Sequence, residues 1–146
     1  MLQDLYQELI IDHGTKPRNF GSLEQPCLSK QGHNPLCGDQ LTVYIIEKNG
    51  IIEDIKFEGE GCAISMASAS LMCQGIKGLT IEKFEQIFQQ FHQCLTTDAK
   101  SDSDILGKAE ALLGVKQYPM RVKCATLAWH TLRAALNQDD SLVSTE

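Results

Sequence analysis

Hydrophobic positions recur with two periods along this chain, and the switches between them mark its elements. Leu2, Leu5, Leu9 and Ile10 fall at helical spacing, so residues 2–12 read as a short amphipathic helix. Pro17-Arg18-Asn19 and Gly21 end it, and a long polar connection follows to about residue 39. Over residues 40–47 the period drops to two: Leu41, Val43 and Ile45 alternate with Thr42 and Tyr44, which predicts a strand. Asn49-Gly50 is a hairpin-turn signal, and residues 51–57 form the partner strand. Ile51, Ile55 and Phe57 are expected on one face, Asp54 and Lys56 on the other. Beyond Glu58-Gly59-Glu60-Gly61, a third short strand or extended turn is expected at Cys62-Ala63-Ile64.

The second half returns to the helical period. Ser65 reads as the N-cap of a helix over residues 65–76, and Gly78 as its stop. Its run of Ala67, Ser68, Ala69 and Ser70 lets another backbone or a bulky group come close. Thr80 caps the next helix, with Phe84, Ile87, Phe88 and Phe91 as its core stripe. Residues 96–103 are polar and read as a mobile loop, 105–113 as a short helix stopped by Gly114. Pro119 opens a last helix to about Leu136. There is no internal repeat. The expectation is one domain, residues 1–137, with a flexible tail at 138–146. Its fold class is α+β: a small three-stranded antiparallel sheet packed against a layer of helices.

Composition narrows the function. The 146 residues are 42% hydrophobic and 22% charged, with a net charge of -6. That balance carries no basic footprint for nucleic acid or anionic lipid. No apolar run approaches the roughly 20 residues of a membrane span, and Met1-Leu2-Gln3-Asp4 lacks a signal pattern. Six cysteines are about 4% of the chain, below the roughly 8–10% of disulfide scaffolds. The chain therefore reads as a cytoplasmic protein with reduced thiols.

Three of those thiols stand in contexts that suit a metal. Cys37 is followed by Gly38, which tolerates a turn that brings Asp39 towards the same point. Cys62 lies between a glycine-loosened strand end and the start of a helix, where orphan N–H groups favour a thiolate. Cys124 follows Pro119 and is flanked by Arg121 and Lys123, two cations expected to lower its pKa. Together Cys37, Asp39, Cys62 and Cys124 form a possible ligand set of three sulfurs and one oxygen. Their four negative charges fall by two on a divalent zinc ion or an oxidised [2Fe-2S] core, and Arg121 and Lys123 can offset the remainder. The separations of 25 and 62 residues match no zinc-finger spacing. No HxE or HExxH base motif supports a zinc hydrolase or deaminase.

The other candidates read as structural. Cys73 is placed in the core, and Cys27 and Cys94 read as incidental surface thiols. His33 stands four residues before Cys37, but a loop histidine is usually solvated. His13 is expected to close the first helix, and His92 and His130 to occupy polar helix faces. Arg18 and Asn19 are expected to hold the N-terminal connection.

Asn34-Pro35-x-Cys37-Gly38-Asp39, Phe57-x-Gly59-x-Gly61-Cys62-Ala63-Ile64-Ser65 and Arg121-x-Lys123-Cys124-Ala125 closely resemble the iron–sulfur cluster scaffold family of IscU and NifU N-terminal domains. The likeness runs over nearly the whole chain. Lys123 stands where the IscU branch has a histidine, and residues 82–103 resemble an extra stretch of the SufU branch. The resemblance implies a metal at Cys37, Asp39, Cys62 and Cys124, zinc in SufU-like members and a transient [2Fe-2S] cluster or iron in IscU-like ones. It also implies a SufS-type cysteine desulfurase as partner, and a downstream iron–sulfur scaffold or apo-proteins as recipients. Cys37 is the implied sulfur acceptor, Cys124 the alternative of the IscU branch, and Arg121 a supporting cation. The remaining alternative is a purely structural zinc module.

Overall fold

The computed structural model describes residues 2–24, 28–138 and 142–145. Along the chain run α1 (Leu2–Thr15), β1 (Leu28–Asn34), β2 (Asp39–Lys48), β3 (Ile51–Glu60), α2 (Ala63–Ile76) and α3 (Ile81–Thr96). There follow α4 (Ser103–Leu106), a 3-10 helix (Gly107–Gln117), α5 (Pro119–Leu136) and β4 (Val143–Ser144). The expected α+β class holds, with four strands among the described residues instead of three, in the order β3-β2-β1-β4. Two of them, β1 and β4, were not expected: β1 lies antiparallel to β2 inside the stretch expected to be a polar connection. Cys62-Ala63-Ile64, expected as a third short strand or extended turn, is instead the cap and start of α2. Cys27 lies outside the described residues. The tail region contributes β4, whose Val143 pairs in parallel with Gly32 of β1.

The β2–β3 hairpin forms as its pattern dictates. Asn49 and Gly50 both take positive φ (54° and 78°), the conformation of a tight hairpin turn. Leu41, Val43 and Ile45 are buried against the helices. On β3 the buried residues are Ile52, Ile55 and Phe57, while Ile51 is 40% exposed. A register shift opposite Ile46 and Glu47 explains the difference, since an extra residue turns the strand over and exchanges Ile51 for Ile52.

The helical layer closes over this sheet. The side chain of Thr80 caps α3 through the backbone N–H of Lys83 at 3.1 Å, and Phe84, Ile87, Phe88 and Phe91 are buried as expected. Phe91 and Phe84 stack on Trp129 of α5 at 4.5 and 6.2 Å between ring centroids. The Trp129 indole donates to Ser68 Oγ at 3.0 Å, and Ser68 donates to the Ala125 carbonyl at 2.5 Å. The small residues of α2 thus admit α5 and supply the polar partner its tryptophan needs. The expected helix over 105–113 is instead α4 followed by the 3-10 helix, with the break at Gly107 (φ 56°) and none at Gly114. Pro119 occupies the first turn of α5.

Candidate metal centre

Three loop or helix ends meet at one end of the sheet, where β1 turns into β2 and β3 leads into α2. Cys37 sits in the four-residue turn between β1 and β2, closed by a Cys37 N–H to Asn34 carbonyl bond at 3.3 Å. Gly38 adopts φ 72° there, as the expected turn-back requires. Asp39 is the first residue of β2 and shares the inward parity of Leu41, Val43 and Ile45, so the strand's alternation carries its carboxylate inside; it is 0% exposed. Cys124 lies in the second turn of α5 and is also 0% exposed. The donor atoms of Cys37, Asp39 and Cys124 all lie within 4.8 Å of one another, and the two sulfurs are 3.1 Å apart.

Cys62, at the start of α2, lies outside that mutual grouping of donor atoms and meets it through the Cys124 thiol. It is itself the N-cap, and its sulfur accepts the Ser65 N–H at 3.4 Å. The expectation that Ser65 caps this helix is therefore corrected. The helix begins two residues earlier and Ser65 is buried in its first turn, because a sulfur fills the place usually held by a hydroxyl. The Cys62 backbone N–H also donates to Asp39 Oδ1 at 2.8 Å. Gly61 permits that approach: a Cβ there would stand 2.5 Å from the same oxygen. Asn34, directly opposite Asp39 in the β1–β2 register, donates to Asp39 Oδ2 at 3.3 Å and to Cys124 Sγ at 3.5 Å.

The electrostatics differ from expectation at Cys124. Burial pushes its thiol well above the ordinary range, and contacts with Cys37, Asp39 and Cys62 add to that. Two neighbouring cations on one helix do not outweigh this desolvation, and only one of them faces the site. Arg121, one turn before Cys124, lies against the sulfurs and holds its proton more tightly, through the Cys62 charge first and a hydrogen bond to Cys124 next. Lys123 instead lines a groove of about 780 Å³ with His92, Lys116, His130 and Arg133. At 100° per residue, the side chain adjacent to Cys124 must point elsewhere.

The residues read as structural are placed as follows. Cys73 is fully buried, and burial raises its thiol pKa. Cys94 is buried too, 3% exposed, and not a surface thiol; it occupies the inner face of α3. His33 pairs with Gln40 one residue out of phase with Asn34, and lines a cavity with Gln31, Glu58 and Glu60 away from the sulfurs. His92 and His130 pack as a pair, 5.6 Å between rings, beside Phe88. Arg18 pairs with Asp12 at 2.6 Å, and the Asn19 carbonyl accepts from Phe57 N–H, so both hold the N-terminal connection. Asn34 is the residue that reading the sequence left without a role. Its signal was its place three residues before Cys37, legible only once β1 is paired with β2.

Residues 5–138 match the model of the NifU-like N-terminal domain family. The chain belongs to that family. It is 42% identical over 139 residues to the zinc-dependent sulfurtransferase SufU of Bacillus subtilis, covering 95% of this chain and 94% of the relative. It is 38% identical to the iron–sulfur cluster assembly scaffold protein IscU of Thermotoga maritima, covering 92% and 94%. A crystal structure of a candidate iron–sulfur cluster assembly scaffold for the SUF system from Fervidobacterium islandicum AW-1 superposes with a TM-score of 0.84 at 36% identity, covering 92% of this chain and 98% of that one. The fold is shared with that structure, and this chain carries a Cys-Asp-Cys grouping able to hold a metal.

Proposed function

We propose that this protein is a zinc-dependent sulfur acceptor of the SufU type, which takes persulfide sulfur from a SufS-type cysteine desulfurase for iron–sulfur cluster assembly. The observation that carries this reading is the pairing of a partly exposed Cys37 with a buried Cys124 and a buried Asp39 around one point. Cys37, Asp39, Cys62 and Cys124 would hold the metal. The donor set fits it: Asp39 is fully buried, and among the described residues no lysine or arginine forms an ion pair with it. A buried carboxylate without a cation is costly, and a divalent ion removes that cost. Bound zinc keeps its cysteine ligands as thiolates at neutral pH.

Sulfur transfer then follows from the placement of the thiols. The Cys37 thiolate attacks the outer sulfur of the partner's persulfide. A new S–S bond forms to Cys37 as the donor's S–S bond breaks, and the donor cysteine leaves as a thiolate. One sulfur atom moves, with no net oxidation or reduction. Arg121, exposed at the mouth of the site, offers a cation to the anionic persulfide. Cys124 is the less accessible acceptor because it is 0% exposed. The partial exposure of Cys37 and Cys62 also separates this site from a closed structural zinc module. Recipients would be a downstream scaffold or apo-proteins in the cytoplasm; among the described residues no helix is long and apolar enough to cross a membrane.

The second reading, assembly of a transient [2Fe-2S] cluster on the same four residues, draws on the identity to the Thermotoga IscU. One experiment separates the two. The protein is purified with and without oxygen, its zinc and iron are measured, and desulfurase turnover is assayed with wild type and Cys37→Ala. Stoichiometric zinc with stimulation lost in the variant is expected. Full stimulation by Cys37→Ala, or a visible-absorbing cluster passed to an apo-ferredoxin from zinc-free protein, overturns the proposal.

A further inference from the structure

Hydrogen-bond donors reach the four candidate ligands unequally. Asp39 receives two, the Cys62 N–H on Oδ1 and the Asn34 amide on Oδ2. Cys124 receives the second Asn34 hydrogen and a hydrogen bond from Arg121 of its own helix, and Cys62 receives the Ser65 N–H. The Cys37 sulfur, among the described residues, meets only the Cys124 thiol.

Among the described residues outside the ligand set, the Asn34 side chain donates hydrogen bonds to two ligands from different elements, β2 and α5. It is 0% exposed, and its Oδ1 is buried without a partner among the described residues. A buried unpaired carbonyl is unfavourable, so packing alone would be better served by an apolar residue. Its orientation is fixed by its neighbours. Turning the amide over would set its oxygen against the Asp39 carboxylate and the sulfur, acceptor against acceptor.

We infer that Asn34 is a positioning residue that keeps Asp39 and Cys124 together as the retained ligand pair, leaving Cys37 as the ligand free to depart and react. This inference rests on the metal-site reading above and deepens it. An N–H donated to a metal-bound thiolate draws charge from the sulfur and orients it. Cys124 is so restrained, and Cys37, on a turn at the surface, is not.

The test is the order in which the thiols of the zinc-loaded full chain react with limiting iodoacetamide, mapped peptide by peptide. In the wild type Cys37 is alkylated first, and Cys62 and Cys124 are protected. Asn34→Ala and Asn34→Val should raise the Cys124 rate relative to Cys37 by about 10-fold or more and lower zinc affinity about 10–100-fold, the scale of losing an outer-shell partner. Asn34→Ser, which keeps one donor, should fall between. A purely structural role predicts a lower melting temperature with the Cys37:Cys124 ratio unchanged, and that result overturns the inference.

Should these variants fail to fold, cadmium-113-substituted wild type supplies the answer. A scalar coupling from cadmium through the Cys124 sulfur to an Asn34 amide hydrogen is expected, and its absence overturns the inference. A wild-type chain that takes up neither zinc nor cadmium overturns the metal-site reading and this inference with it. Normal uptake with unaltered labelling overturns only this one.

Discussion

A methyl group added at Gly61 would stand 2.5 Å from Asp39 Oδ1 and 3.1 Å from its Cβ. Asp39 is the first residue of β2 and is held by its ladder to Asn34, so the side chain must rotate away while the backbone stays. Gly61→Ala is therefore expected to lower zinc affinity by about 10–100-fold, the range for disturbing a ligand's support. Circular dichroism should remain that of the wild type, and competition with a chromophoric chelator measures the loss. The same substitution at Gly75 should act in the opposite sense. Gly75 is an exposed residue within α2, and nothing lies within 4 Å of a Cβ placed there. Alanine removes glycine's excess unfolded-state freedom and should raise stability by about 0.5–1 kcal/mol in urea unfolding, with zinc affinity unchanged. One glycine makes room for a ligand and the other is a weak point in a helix.

On α5 the two basic residues before Cys124 have separate destinations. Arg121→Gln should reduce stimulation of the desulfurase about 10-fold, because it removes the cation nearest the sulfurs. Lys123→Gln should change it by less than about 2-fold, since that ammonium lies in the groove with Lys116 and His130. Steady-state turnover with each variant checks both, and an equal loss in the two would contradict the assignment. The facing of α5 follows from how it packs on β1 and α2, which no local pattern encodes. Elsewhere, legibility tracked how local the determinants are. The Asn49-Gly50 turn, the Thr80 cap and the phenylalanine stripe of α3 could be read because each depends on residues within one turn or hairpin. β1 could not, because Ser29-Lys30-Gln31-Gly32-His33 shows no apolar alternation and forms a strand only by pairing with β2. The four candidate ligands were legible from their Gly, Pro and helix-start flanks and from resemblance. Asn34 was not, because its role depends on that unseen pairing.

At the scale of the whole molecule, buried titratable groups bound the pH range in which the zinc-free fold is stable. His13 is 2% exposed at the α1–α2 contact, and Ser70 Oγ already accepts the Arg18 N–H at 2.8 Å. The same hydroxyl pairs with His13 Nδ1 at 2.7 Å. Burial first, and the Arg18 charge next, lower the His13 pKa; burial and then His92 lower that of His130. The unfolded chain titrates its histidines near 6.5, so below that value it binds more protons than the fold and stability falls as pH falls. On the alkaline side the sign reverses. Burial raises the thiols of Cys73, Cys94 and Cys124, so above about 8.5 the unfolded chain loses protons that the fold retains, and stability falls as pH rises. Asp12, lowered by Arg18, and Glu110, lowered by Ser103 and Tyr6, act only at more acid pH, near and below ordinary carboxylate values. The melting temperature of chelator-treated protein should therefore peak between about pH 7 and 8.5 and decline on both sides. His130→Gln should flatten the acid limb without moving the alkaline one. Zinc should extend the alkaline limb, because Cys124 bound as a thiolate no longer has a proton to retain. A melting temperature constant from pH 5 to pH 9 would rule out this account, and an alkaline limb insensitive to zinc would remove Cys124 from it.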